Sequence, residues 1–335
     1  MISSNYSNFT KFGIRNEAER YTWTMWLIFI LSCSLLGDTI ILVSSIKYNA
    51  FRIHDWIVAF IQHIAVCDLL ISIFTIFPTI VSLLANGWVF GEPFCHFTAT
   101  LTVYGVPTSS LLICALTSSK LWLLKNPLRA RTLPKSKAHK LCAGIWVLAL
   151  TVPALYLTVD RRDVYWGYNI YSCYYAHSST KWKILEPLNH GIFGGLPTVI
   201  VIITSILLVH HLLKARKVAT RSRGQIRWQG IATVVAVACI YTFAVLPLTV
   251  YWIAETYLEK SPDNLKTFSS RTAKSFFYFN VASNFFIYFF TVQSFRMFVR
   301  FLRAEVTLLL WSCYPICRSM LFYISFTEQC SVHPT

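Results

Sequence analysis

Charge is what this sequence has least of. Charged residues make up 13% of 335 residues and hydrophobic ones 55%, where ordinary soluble domains carry about 25% charged residues. The deficit argues against a soluble domain and for the membrane class. Acidic residues are the scarcest, 14 against 30 Lys and Arg, which leaves a formal charge of +16. Nucleic-acid binders gather such charge on a soluble face, whereas here it sits in short gaps between apolar runs. The first twenty residues lack the short apolar core of a signal peptide, so the first apolar helix is expected to direct insertion. Zinc-protease and P-loop patterns are missing, and His63 is the one histidine deep in an apolar run. His210 and His211 fall near a helix end. An enzyme site would need clustered His, Asp or Glu, so no catalytic residues are expected. The ten cysteines lie mostly inside apolar runs, where a free thiol behaves as a small hydrophobe.

What the sequence does have is long apolar runs. A helix needs about 20 apolar residues to cross the hydrocarbon core. Seven stretches qualify, at 21–46, 57–85, 94–119, 141–159, 187–213, 229–254 and 272–293. The fold class that follows is an all-α membrane protein, a seven-transmembrane helix bundle. Residues 1–20 precede it, 21–293 form it and 294–335 follow it. Pro78, Pro107, Pro153, Pro197 and Pro247 fall inside the runs. Each would break a soluble helix, but in membranes neighbouring groups re-satisfy the freed carbonyls.

Orientation follows from Lys and Arg. The segments 47–56, 120–140, 214–228 and the tail hold nineteen of them, the opposite side eleven. Only Asp55, Glu305 and Glu328 among the acids lie on the richer side. The N-terminus is therefore expected outside, in a multi-pass protein of the plasma membrane. Asn5-Tyr6-Ser7 and Asn8-Phe9-Thr10 fit the glycosylation pattern on that side. After the seventh run, Phe295-Arg296-Met297-Phe298-Val299-Arg300-Phe301-Leu302-Arg303 alternates apolar and basic residues at near-helical spacing. That predicts an amphipathic helix on the inner membrane surface. Cys313 and Cys317 beyond it are palmitoylation candidates. The tail 306–326 is apolar, but Pro315 and Arg318 interrupt it as an eighth span.

Several motifs recur in order. Trp88-Val89-Phe90-Gly91-Glu92-Pro93-Phe94-Cys95 opens the third run, and Lys120 lies twenty-five residues beyond Cys95, about 38 Å along a helix. Asn126-Pro127-Leu128-Arg129 follows. Ile64-Ala65-Val66-Cys67-Asp68 sits in the second run, Trp146 in the fourth, Pro197 and Pro247 in the fifth and sixth, and Asn284-Phe285-Phe286-Ile287-Tyr288 in the seventh. Together these resemble the rhodopsin-like G-protein-coupled receptors, and among them a peptide-receptor-like member, over about residues 21 to 303.

The resemblance implies a disulfide between Cys95 and Cys173 in the second outer loop. It also implies a polar cluster of Asp68, Ser109, Asn280 and Asn284 similar to the family's sodium pocket, with a hydrogen-bonded cluster without an ion as the alternative. An inner switch at Lys120, Arg227 and Tyr288, facing a heterotrimeric G protein, is implied as well. Departures from the family stand beside these. Asp-Arg-Tyr becomes Ser119-Lys120-Leu121, Cys-Trp-x-Pro becomes Ala244-Val245-Leu246-Pro247, Gly-Asn becomes Gly37-Asp38, and Phe285 replaces a proline. Lys120 and Arg227 share a sign, so no locking salt bridge between them is expected. Asp38 and Asp68 stand at comparable depth and, by the resemblance, in contact. Two such carboxylates share a proton or accept a cation; the alternative is that Asp38 turns aside and hydrogen-bonds a backbone carbonyl as the neutral acid.

On the ligand, Thr102 holds the place of the amine receptors' aspartate and Tyr278 that of the opsins' lysine, which disfavours a monoamine and excludes a retinal Schiff base. Lys274 lies one turn further out. Glu186, Glu255, Glu259 and Asp263 form an acidic outer rim, with Tyr104, Trp252 and Tyr278 below. Acidic rims attract cations, which suits a basic or amidated neuropeptide; solvated loop charges are the other explanation. The function expected is reception of an extracellular ligand with G-protein activation. A receptor fold that does not signal and a multi-pass transporter are the alternatives, although no inverted repeat supports the latter.

Overall fold

The computed structural model describes residues 17–47, 55–159, 164–167, 172–175, 187–216, 221–257, 263–293 and 295–303. Asn5, Asn8, Glu186, Glu259, Cys313, Cys317 and the apolar tail lie outside them. The side chains of Arg227, Trp252, Glu255 and Asp263 lie outside them too, although their backbones are helical.

Among the described residues seven long helices carry the fold: α1 (Glu17–Ile46), α2 (Asp55–Leu84), α3 (Glu92–Lys125), α4 (Lys135–Thr158), α5 (Pro187–His211), α6 (Arg221–Tyr257) and α7 (Asp263–Thr291). The apolar runs set them, because a backbone in lipid must satisfy its own hydrogen bonds. Helical ends overshoot the apolar runs, as at Lys125 and Lys135. α8 (Phe295–Arg303) leaves α7 at 101°. That turn suits a helix lying along the membrane face, as its alternating pattern predicts, rather than a continuation of the seventh span.

α3 is the central post, packed against α2, α4, α5 and α6, while α7 closes the ring against α1 and α6. The core is one contiguous apolar cluster, with Phe60, Ile64, Leu112, Tyr241 and Val281 among its buried members. Many large side chains such as Phe290, Ile206 and Leu36 are exposed. In this fold they face lipid.

The prolines act in two ways. Pro107 and Pro247 sit inside unbroken helices. Pro78 and Pro197 follow π-helical turns at Ser72–Ile76 and His190–Gly195, and Pro153 follows a break at Leu150. A proline clashes with the carbonyl four residues earlier, and a widened turn relieves the clash.

One element departs from an all-helical outline. β1 (Val164–Gly167) and β2 (Ser172–Tyr175) form an antiparallel hairpin pairing Trp166 with Cys173. Only Cys173 in this loop is picked out by the motifs in the sequence. The β-branched and aromatic residues around it, Val164, Tyr165, Trp166, Tyr174 and Tyr175, were a strand signal.

Candidate functional site

Cys95 near the start of α3 is bonded to Cys173 of β2, with Cα atoms 5.4 Å apart and a separation of 78 positions in sequence. The bridge lays the hairpin over the end of the bundle where α3 begins. Trp88 reinforces it by stacking on Trp166 at 5.4 Å. Its indole N–H donates to the Gly91 carbonyl at 2.7 Å. Gly91 has φ +79°, a conformation that glycine adopts without penalty. The Trp-x-Phe-Gly signature therefore builds a rigid corner.

Beneath the hairpin lies a cleft of about 980 Å³ including its open mouth. β2 roofs it, α3 supplies Thr102, Val103 and Val106, the π-turn of α5 supplies Phe193, and α7 supplies Lys274 and Phe277. Thr102 and Lys274, singled out in the sequence by their places in the third and seventh runs, both line this cleft. Tyr278 does not line the cleft; it is buried one turn inward, with the Lys274 ammonium 5.5 Å from its ring.

Tyr104 requires a correction. It lies two residues from Thr102, about 200° around the helix, so it turns towards α4. There its hydroxyl donates to the Trp146 carbonyl at 3.1 Å and its ring meets the indole at 5.8 Å. Ser172 and Tyr174 in the roof were not anticipated, although flanking the bridged Cys173 was a sufficient signal.

At the outer rim, Arg271 is buried against α1 and ion-paired with Glu19. Glu92 faces His96 at 3.8 Å. No described carboxylate pairs with Lys274.

Deeper in the bundle, α1, α2 and α7 converge on a polar cluster. Asn284 donates to Asp68 at 2.5 Å. The Ser34 hydroxyl lies 2.7 Å from both Asp38 and the Ser72 hydroxyl. Asp38 is 1% exposed and Asp68 0%, and the two carboxyl groups act on each other electrostatically. Asp38 Oδ1 and Asp68 Oδ1 have no hydrogen-bond partner, and neither does the buried Ser109 Oγ on α3. Buried polar atoms are rarely left so. Asn280 is buried nearby on α7, its carbonyl accepting from Ser283. Tyr288, read as part of the inner switch, is 1% exposed and feels both carboxylates.

His63 is part of a chain rather than alone. Trp146 Nε1 donates to His63 Nδ1 at 3.1 Å, and His63 Nε2 lies 3.1 Å from His139 Nδ1. An indole only donates. His63 therefore accepts at Nδ1 and presents an N–H at Nε2 to His139, which makes this a satisfied packing contact between α2 and α4.

Comparison with known proteins agrees with this geometry. The family model of the 7 transmembrane receptor (rhodopsin family) matches residues 39–288. Neuropeptide FF receptor 1 of Homo sapiens is 30% identical over 160 residues, which is 45% of this chain and 36% of that receptor. Neuropeptide FF receptor 1 of Rattus norvegicus is 26% identical over 255 residues, 70% of this chain and 58% of that receptor. C-X-C chemokine receptor type 2 of Bos taurus is 23% identical over 235 residues, 69% of this chain and 61% of that receptor. The matched stretches span less than two thirds of each relative's own length. Since the family model covers most of the chain and the helices, bridge and cleft fit it, the chain belongs to the rhodopsin family of seven-transmembrane receptors.

Proposed function

We propose that this chain is a plasma-membrane receptor, N-terminus outside, that binds an extracellular peptide in the outer cleft and activates a heterotrimeric G protein. The observation that carries the reading is the cleft itself, roofed by a bridged hairpin and walled by α3, α5 and α7. A concave site with a mostly apolar lining and a few convergent polar groups is the usual form of a ligand site. Relatives named as neuropeptide receptors support the ligand class. The excess of Lys and Arg in the opposite loops supports the orientation.

The buried cluster would serve as the adjustable centre of the bundle. The unpartnered oxygens suit a hard cation, which takes oxygen ligands. Asp38, Asp68 and Ser109 would hold a sodium ion there, with the Asn280 and Asn284 side chains alongside. A bound cation would offset the repulsion between the two carboxylates; a shared proton is the other way to do so.

A second reading, a receptor fold that binds without signalling, is favoured by Lys120 and Val245, which stand where the family carries Arg and Trp. Nucleotide exchange by a purified G protein on membranes carrying the chain, screened against a neuropeptide library, separates the two. We expect at least one peptide to raise exchange. A peptide that binds with no exchange on any G-protein class would establish the second reading.

A further inference from the structure

Lys274 is a basic side chain in the wall of an apolar cleft, with no carboxylate paired to it among the described residues. Its side chain is half-buried and lines the cleft next to Phe277, across from Val103 and Val106 of α3 and Phe193 of α5. The ammonium lies 5.5 Å from the Tyr278 ring. A ring face attracts a cation but does not neutralise it. The nearby carboxylate on α1, Glu19, is engaged by Arg271, one turn further out on α7. Glu92 faces His96, and Glu17 is exposed at the start of α1. The described residues at this end thus pair one α7 cation and leave the other facing the cavity.

Burying a charge without a partner is costly, and attraction between opposite charges strengthens as water is excluded. A ligand that fills the cleft removes water from around Lys274. If that ligand is neutral at this point, it leaves the ammonium uncompensated; if it brings an anion, it completes the pair. Truncating one partner of a desolvated pair is penalised mainly through the charge left behind.

We propose that the outer cleft selects ligands bearing a carboxylate on an apolar body, with Lys274 receiving the carboxylate and the Val103, Val106, Phe193 and Phe277 side chains receiving the apolar part. This rests on the reading of the cleft as the ligand site. It gives the ligand a definite polarity, acid towards α7 and hydrocarbon or aromatic rings towards α3 and α5. Such chemistry has two sources, a peptide with a free carboxyl group or a fatty-acid-like lipid.

The test uses the full chain in nanodiscs of uncharged phosphatidylcholine, with empty nanodiscs subtracted. The probes are dansyl-Leu-Phe with a free carboxyl group and the same dipeptide as its amide, read by fluorescence anisotropy. We expect the acid to bind at least tenfold more tightly than the amide, about 1.4 kcal/mol. The ratio should fall to about one in Lys274→Met and survive in Lys274→Arg. Melting temperatures of both variants check folding, and the acid–amide ratio on the parent chain needs no variant. Displacement of the acid probe by dodecanoate but not by dodecanol assigns the lipid source. An undiminished acid preference with no displacement by dodecanoate assigns the peptide source. Equal binding of the two probes, no binding of either, or a preference that persists in Lys274→Met overturns the proposal. An amidated peptide that drives nucleotide exchange equally in the parent and Lys274→Met also overturns it while leaving the receptor reading intact. Acid-selective binding with no exchange does the reverse.

Discussion

Phe285 stands in the seventh helix where the family carries proline, and the residue that accommodates it is a glycine on another helix. A Cβ built on Gly37 would lie 2.5 Å from Phe285 Cβ, closer than such atoms approach. Gly37→Ala should therefore destabilise by about 1–3 kcal/mol, the usual cost of overpacking. A melting-temperature series should show the loss shrinking when residue 285 is also made glycine, because the clash then has no second atom; equal losses in both backgrounds would mean that the helices simply separate. One residue further along α1, Asp38→Asn should restore an amide opposite Asp68. We expect the sodium and pH dependence of ligand affinity to shift on the order of tenfold, about 1.4 kcal/mol, and identical dependence in variant and parent would remove any ion or proton linkage from the pair. At the inner end, Lys120→Arg introduces a forked donor that lysine lacks, and Arg227→Glu introduces an opposite charge. The first should change stimulated nucleotide exchange and the second lower basal exchange; if neither moves, Lys120 is a surface lysine whose stem packs on the helix.

At the scale of elements, helix positions were legible in the sequence and helix shapes were not. Twenty apolar residues in a row announce a span whatever its neighbours do, so the seven runs and the surface helix read directly. The response of a helix to an internal proline depends on what packs around it. Pro247 leaves α6 continuous, whereas Pro197 comes with a π-turn, and both look alike in sequence. Side-chain direction was the second thing hidden. Tyr104 and Thr102 lie two residues apart in the same apolar run, and only the helical turn separates the one that meets α4 from the one that meets the cleft. Pairings across the bundle, such as Arg271 with Glu19 or His63 with His139, involve partners far apart in sequence and leave no local trace. The π-turn of α5 supplies His190, Phe193 and Gly194 to the cleft, which makes its shape testable. Pro197→Ala returns an N–H able to bond the Phe193 carbonyl and close the turn to α-helical register. Helix stability should rise by about 1 kcal/mol for the gained bond while affinity for a cleft ligand falls. Unchanged affinity would mean that the turn survives without its proline.

For the molecule as a whole, the two ends are built on different principles. The end with Lys120 carries most of the positive charge and the bend into α8, and the end with the Cys95–Cys173 bridge is roofed by covalent and aromatic contacts. The Cys95–Cys173 bridge closes a loop of 78 residues, worth roughly 4 kcal/mol on the chain-entropy estimate. Cys95→Ser should accordingly lower surface expression and melting temperature together, and normal values for both would show that the hairpin holds by packing alone. The same roof governs time as well as stability. Because β2 is held at Cys173 and its partner strand at Trp166, the covering strand cannot swing aside without breaking a bond or a stack. A roof fixed in this way slows arrival and departure alike and spares equilibrium affinity. Severing the bridge while keeping the protein folded should then shorten the residence time of a bound ligand far more than it raises the dissociation constant. The duration of occupancy would then be set by a disulfide in the roof of the cleft, whatever the affinity of the bound molecule.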